Sequence, residues 1–128
     1  MNYLLDTHSF IWFIEGNTLL SDTANTLISN PKNTIYLSMA SLWEMAIKVR
    51  LDKLELQQPF SQFLEHHIQQ SEFEILPIKI NHVIKVSTLE LHHRDPFDRL
   101  LIAQSISENM PILSADSAFN AYDVDRIW

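Results

Sequence analysis

Apolar residues along this chain fall into short solid runs and helically spaced sets, and the two kinds alternate. Residues 2–6 form a run that predicts a buried strand, followed by a short apolar helix over 9–15 and a second helix over 21–29 with Ser21 as its N-cap. Asn30-Pro31-Lys32-Asn33 predicts a turn into a strand over 34–37, rich in β-formers. Leu42, Met45, Ala46 and Val49 recur at helical spacing and predict a helix over 40–51. Pro59 opens another helix to about residue 70, with Phe60, Phe63, Leu64 and His67 on its inner side. A short strand over 74–78 then precedes a helix over 81–90 capped by Asn81. Asp95-Pro96 starts a strongly apolar helix to about residue 108, a fourth strand follows at 111–114, and residues 126–128 predict an edge strand. Strands alternating with helices imply an α/β fold, a mainly parallel sheet of four to five strands between helical layers in one domain over 1–128.

Composition narrows the chemistry. With 128 residues and a 46% hydrophobic share, the chain has enough apolar material for one substantial core. The absence of cysteine excludes disulfides, thiolate zinc sites and a cysteine nucleophile. A single glycine, Gly16, excludes a glycine-rich phosphate loop. No apolar run approaches the roughly 18–20 residues that span a bilayer. The opening Met1-Asn2-Tyr3-Leu4-Leu5-Asp6 has no basic leader, so no signal peptide is expected, and a cytoplasmic location with no membrane partner is. The net charge of −7 argues against a simple nucleic-acid coat protein but leaves room for an enzyme acting on nucleic acid, because carboxylates that hold metal ions are locally neutralised.

Four carboxylates sit against apolar runs, where a lone charge is costly: Asp6, Glu44, Asp98 and Asp116. Each also has a simpler reading. Asp6 could cap the helix that follows it. Ser41-Leu42-Trp43-Glu44 matches a capping box, although Ser38, directly after the strand, is the better cap. Asp95 suits the N-cap before Pro96, and Asp98 sits at the third helical position, with Arg94 or Arg99 as possible partners. Asp116 could cap a short helix at 117–121, and Ser114 could orient a neighbouring carboxylate. What favours a site is placement. Asp6 and Asp116 follow strand ends and Glu44 leaves from the same edge, where parallel sheets gather their ligands. Lys48, Arg50 and Arg99 lie near these acids and could contact phosphate; Lys48 could equally pair with Glu44 four residues back. The histidines fall into two adjacent pairs, His66-His67 and His92-His93, plus His8 and His82. Adjacent helical residues diverge, and no His-x-x-x-His spacing occurs, so zinc is not expected.

Taken together, Leu4-Leu5-Asp6-Thr7-His8, Ser41-Leu42-Trp43-Glu44-Met45-Ala46-Ile47-Lys48, Asp95-Pro96-Phe97-Asp98-Arg99-Leu100-Leu101-Ile102-Ala103-Gln104 and Leu113-Ser114-Ala115-Asp116 resemble a PIN domain. More narrowly, the chain resembles VapC-type toxins of bacterial toxin–antitoxin pairs, over nearly its whole length. The resemblance implies a compact α/β/α ribonuclease that cleaves RNA with Mg2+ or Mn2+. Its acidic site would be Asp6, Glu44, Asp98 and Asp116, with Asp95, Ser114 and Thr7 accessory. It also implies a cognate antitoxin protein and a homodimer. Two departures are mild: Asp52 stands where glycine is common and tolerates a left-handed turn, and Ser114 replaces a common threonine while keeping the hydroxyl.

Carboxylates of this kind would hold one or two hydrated divalent ions, lowering the pKa of bound water for attack on the phosphodiester. Asp6 and Asp116 are the strongest expected ligands. Two other classes remain open at this point: a metal-independent ribonuclease using His8 or His93, and a non-catalytic module, either receiver-like or PIN-like. A receiver wants adjacent acids after its first strand, and Asp6-Thr7 offers one.

Overall fold

The computed structural model describes residues 1–128. Five strands form one sheet: β1 (Asn2–Leu5), β2 (Thr34–Ser38), β3 (Glu74–Leu76), β4 (Ile112–Leu113) and β5 (Arg126–Ile127), in the order β3-β2-β1-β4-β5. Every pairing is parallel; Leu5 lies opposite Leu37 on one side and Leu113 on the other. Strand alternation divides the core. Tyr3, Leu5, Ile35, Leu37 and Leu113 face one cluster, packed with Phe10, Ala24, Met45 and Phe63 from the helices on that side. Leu4, Ile112 and Leu76 face the other, against Leu101, Ile102 and Phe119. A sheet buried on both faces needs continuous apolar strands rather than alternating ones, which is why these strands read as solid runs.

Six α-helices connect the strands: α1 (Thr7–Glu15), α2 (Asp22–Ser29), α3 (Met39–Arg50), α4 (Phe60–Leu64), α5 (Ile80–Thr88) and α6 (Pro96–Glu108). Ser21 caps α2 through the Ala24 N–H, and Asp52 adopts the left-handed turn after α3 at φ 56°. None of these helices is long and apolar enough to cross a membrane.

Several boundaries differ from expectation. The helix after Pro59 is α-helical only to Leu64 and continues as a π-helix over Glu65–Gln69, so Ile68 rather than His67 reaches the core. Strand β3 stops at Leu76, short of the expected 78. Helix α5 starts at Ile80 with Lys79 as N-cap, so Asn81 is not the cap. The reason is His82, fully buried, whose Nδ1 accepts the Lys79 N–H at 3.0 Å and whose Nε2 meets Glu108 Oε1 at 2.9 Å. That pairing ties α5 to α6. Together with Lys79, it holds the Glu108 carboxyl below its ordinary range.

The order β3-β2-β1-β4-β5 places the reversal of winding between β1 and β4. The crevice beyond their carboxyl ends is therefore the expected ligand position. Asp6 leaves β1 there, and Ser114 and Asp116 leave β4.

Candidate acidic metal centre

Asp6 does two jobs with its two oxygens. Oδ1 accepts the Ser9 N–H at 2.8 Å and caps α1, while Oδ2 accepts the Ser114 hydroxyl at 2.6 Å. Ser114 Oγ in turn accepts the Asp116 N–H at 3.0 Å, so one buried serine connects the ends of β1 and β4. The cap therefore occupies one oxygen of Asp6 and leaves the other turned to the β4 end.

The capping box does not form at Glu44. Ser38 caps α3 through the Ala40 N–H, which places Glu44 inside the helix and buries it. The Thr7 hydroxyl donates to Glu44 Oε1 at 2.7 Å and lies 2.9 Å from Ser41 Oγ. Lys48 Nζ sits 2.9 Å from Oε2. Lys48 is thus the charge partner of a buried carboxylate, and Thr7 fixes that carboxylate's orientation across 37 residues of chain.

Asp95 caps α6, its Oδ1 accepting from the N–H groups of Phe97 and Asp98. Neither Arg94 nor Arg99 pairs with Asp98. The Arg99 guanidinium is spent on backbone carbonyls of Val86, Leu89, Glu90 and His93 and on the Tyr122 hydroxyl. That clamp commits the guanidinium to acceptors within the protein. Arg50 is exposed on the last turn of α3.

The partner of Asp98 is His93, with Nε2 3.2 Å from Asp98 Oδ2 and 3.0 Å from Asp116 Oδ2. One atom from each of His93, Asp98 and Asp116 can be chosen so that all lie within 4.8 Å of one another. Sequence reasoning left His93 out of the acidic set because its immediate neighbour, His92, cannot share a ligand with it. The residues it meets lie 5 and 23 positions away. Its position just ahead of the Asp95-Pro96 helix start was the available signal. His8, by contrast, is exposed and packs on Trp12, ring centroids 5.9 Å apart.

Electrostatics mark Asp98 as the crowded member. Burial pushes its carboxyl up, the Asp95 charge adds to this, His93 opposes it, and the Asp6 and Glu44 charges add further, giving about 7 against an ordinary 3.8. Burial also raises Asp116, but the His93 hydrogen bond, the Ala118 N–H and the Arg126 charge prevail and hold it below its usual range. Asp116 is also the cap of the 3-10 turn Ser117–Ala121.

The sequence model of the PIN domain matches residues 3–125. The chain belongs to the PIN domain family. No curated protein matches this PIN domain in sequence. Solved structures do match it. VapBC2 from Rickettsia felis, bound to a promoter DNA fragment, has a TM-score of 0.73 at 20% identity, covering 99% of this chain and 98% of that one. FitAcB from Neisseria gonorrhoeae gives 0.70 at 20%, covering 98% and 96%. VapBC-5 from Mycobacterium tuberculosis, of a toxin–antitoxin family, gives 0.61 at 19%, covering 98% and 95%. At such identities the likeness is one of fold.

The donor set suits a hard divalent ion. Carboxylate oxygens dominate it, and burial, with the Asp95, Asp6 and Glu44 charges adding to it, makes the Asp98 carboxylate costly to ionise without a cation. An added cation would lower that carboxyl back toward its ordinary value.

Proposed function

We propose that this PIN domain is a divalent-metal-dependent ribonuclease, the toxin of a toxin–antitoxin pair, with RNA as substrate, a cognate antitoxin protein as partner and a homodimer as its working form. The observation that carries the catalytic reading is geometric: Asp98 and Asp116 converge on His93 Nε2 at 3.2 and 3.0 Å, and Ser114 ties the Asp6 carboxylate to the same β4 end. Acids gathered at the switch point of a parallel sheet make a poor structural core and a good cation site. The PIN family match and the fold likeness to VapBC and FitAcB complexes support the toxin assignment.

Asp6, Asp98 and Asp116 would hold Mg2+ or Mn2+, with Glu44 as a further ligand or water-orienting base. When bound, the ion supplies Lewis-acid polarisation of the phosphodiester and an activated water. The protein's own contribution is orientation. Ser114 fixes Asp6, Thr7 fixes Glu44, and Asp95 fixes the first turn of α6 that carries Asp98. Lys48, already on Glu44, would be a phosphate contact beside the acids. Arg50 is a peripheral phosphate contact on the same helix.

The test is cleavage of a mixed RNA substrate by antitoxin-free protein. Activity should vanish in EDTA, return with Mg2+ or Mn2+, and be absent from Asp116→Asn at all metal concentrations. Cleavage that survives EDTA and is lost in a His93 variant would establish the histidine mechanism instead.

A further inference from the structure

The loop ahead of α6 is built around one side chain that this function does not absorb. The His93 backbone N–H donates to the Tyr122 hydroxyl at 2.8 Å, and its carbonyl accepts from Arg99 at 3.4 Å. Its ring packs against Phe119, centroids 5.7 Å apart. Its Nδ1 accepts the Asp95 N–H at 3.2 Å. Tyr122 also donates to the Glu90 carbonyl and accepts the His92 N–H, so the same hydroxyl closes the loop from both sides. Such a cage fixes the imidazole in position, plane and tautomer. With Nδ1 accepting, the ring proton resides on Nε2, which points between Asp98 Oδ2 and Asp116 Oδ2 at 3.2 and 3.0 Å.

We propose that His93 is a positioning residue of the acidic centre, its Nε2–H holding Asp98 of α6 and Asp116 of the β4 end at the mutual spacing a shared divalent cation requires. This rests on the metal-site reading above. The two acids come from elements with no direct bond between their side chains, and His93 is the group that bridges them. A lone-pair contact from Nε2 to the ion is excluded by the same geometry, because it would require breaking the Asp95 N–H···Nδ1 bond. Hydrogen-bond partners of ligating groups usually set metal affinity within about 10- to 100-fold, and that is the size of effect expected here.

The measurement is Mn2+ binding by the full chain, read from the loss of the free-ion electron paramagnetic resonance signal, in wild type, His93→Ala, His93→Gln and Asp116→Asn. Nitrogen modulation of the bound-ion signal is recorded in parallel. Positioning predicts Mn2+ binding weakened about 10- to 100-fold in His93→Ala, recovery of most of that loss in His93→Gln, whose amide N–H reaches the same place, and no directly coordinated imidazole nitrogen in wild type. Equal affinity in folded His93→Ala overturns the role of His93 while leaving the metal site intact. Tighter binding in His93→Ala overturns it too, since it would make the imidazole a competitor of the ion. A strong directly bound nitrogen coupling in wild type makes His93 a ligand and overturns the proposal in another way. Failure of wild type itself to bind Mn2+, or binding unaffected by Asp116→Asn, overturns the underlying metal-site reading. Should His93→Ala fail to fold by circular dichroism, the affinity of His93→Gln and the nitrogen spectrum of wild type decide.

Discussion

Asp98→Asn should make the metal-free protein more stable, and the gain should depend on pH in a defined direction. Burial and the neighbouring acids push the native carboxyl up to about 7 against an ordinary 3.8. At about 1.4 kcal/mol per tenfold change in proton affinity, that gap corresponds to roughly 4 kcal/mol in a dry site. The side chain is 23% exposed, and solvent screening reduces the expected figure to about 1–2 kcal/mol. Between pH 3.8 and about 7 the folded chain keeps a proton that the unfolded chain has released, so ionisation costs stability progressively as pH rises through that window. Asparagine cannot ionise. Its advantage over wild type should therefore be full at about pH 8 and shrink steadily toward about pH 5. Urea unfolding in EDTA, followed by circular dichroism with matched slopes, measures the difference. Adding Mn2+ should reverse the ranking, because the ion stabilises the folded wild type by mass action and the variant has lost a ligand. An Asp98→Asn protein no more stable than wild type near pH 8 in EDTA, or a difference that ignores pH, would refute the crowding argument.

Asp95→Ala removes the cap of α6 and should cost about 1 kcal/mol in urea unfolding; by deleting the like charge that most raises Asp98 it should also lower the Asp98 titration midpoint, visible by carbon-13 NMR. Arg99→Ala dissolves the clamp on the 86–93 loop, with an expected loss of about 1.5–3 kcal/mol, and should leave the salt slope of RNA binding unchanged; a reduced slope would restore it as a phosphate contact. His82→Ala deprives Lys79 N–H and Glu108 of their buried partner. It should cost about 2–3 kcal/mol, with the Glu108 carboxyl returning toward its ordinary value in the same NMR experiment.

The parallel sheet and most helices were legible because strands buried on two faces are solid apolar runs and because Ser21, Asp95 and Pro96 mark helix starts with local chemistry. The burial of Asp6 and Glu44 was legible too, because each adjoins a solid apolar run. Local rules failed where the deciding partner was distant. Helix α5 takes its cap from a buried histidine that also pairs with Glu108, 26 residues on, so the ordinary preference for Asn81 lost. Arg99 looked like a partner for its neighbour Asp98, yet four carbonyls between Val86 and His93 and the Tyr122 hydroxyl draw its guanidinium elsewhere. His93 was judged against His92, whereas its chemistry lies with Asp98 and with Asp116, 23 residues away.

The central claim is that Asp6 after β1, Asp98 on α6 and Asp116 after β4 hold a divalent cation, with Glu44 of α3 beside it. Anomalous diffraction from crystals soaked in Mn2+ tests it most directly. The account predicts a manganese peak among the carboxylates of Asp6, Asp98 and Asp116, with Glu44 facing it and His93 hydrogen-bonded to the ligating acids. A well-occupied soak with no peak there, or with manganese bound only at other surface acids, would contradict it.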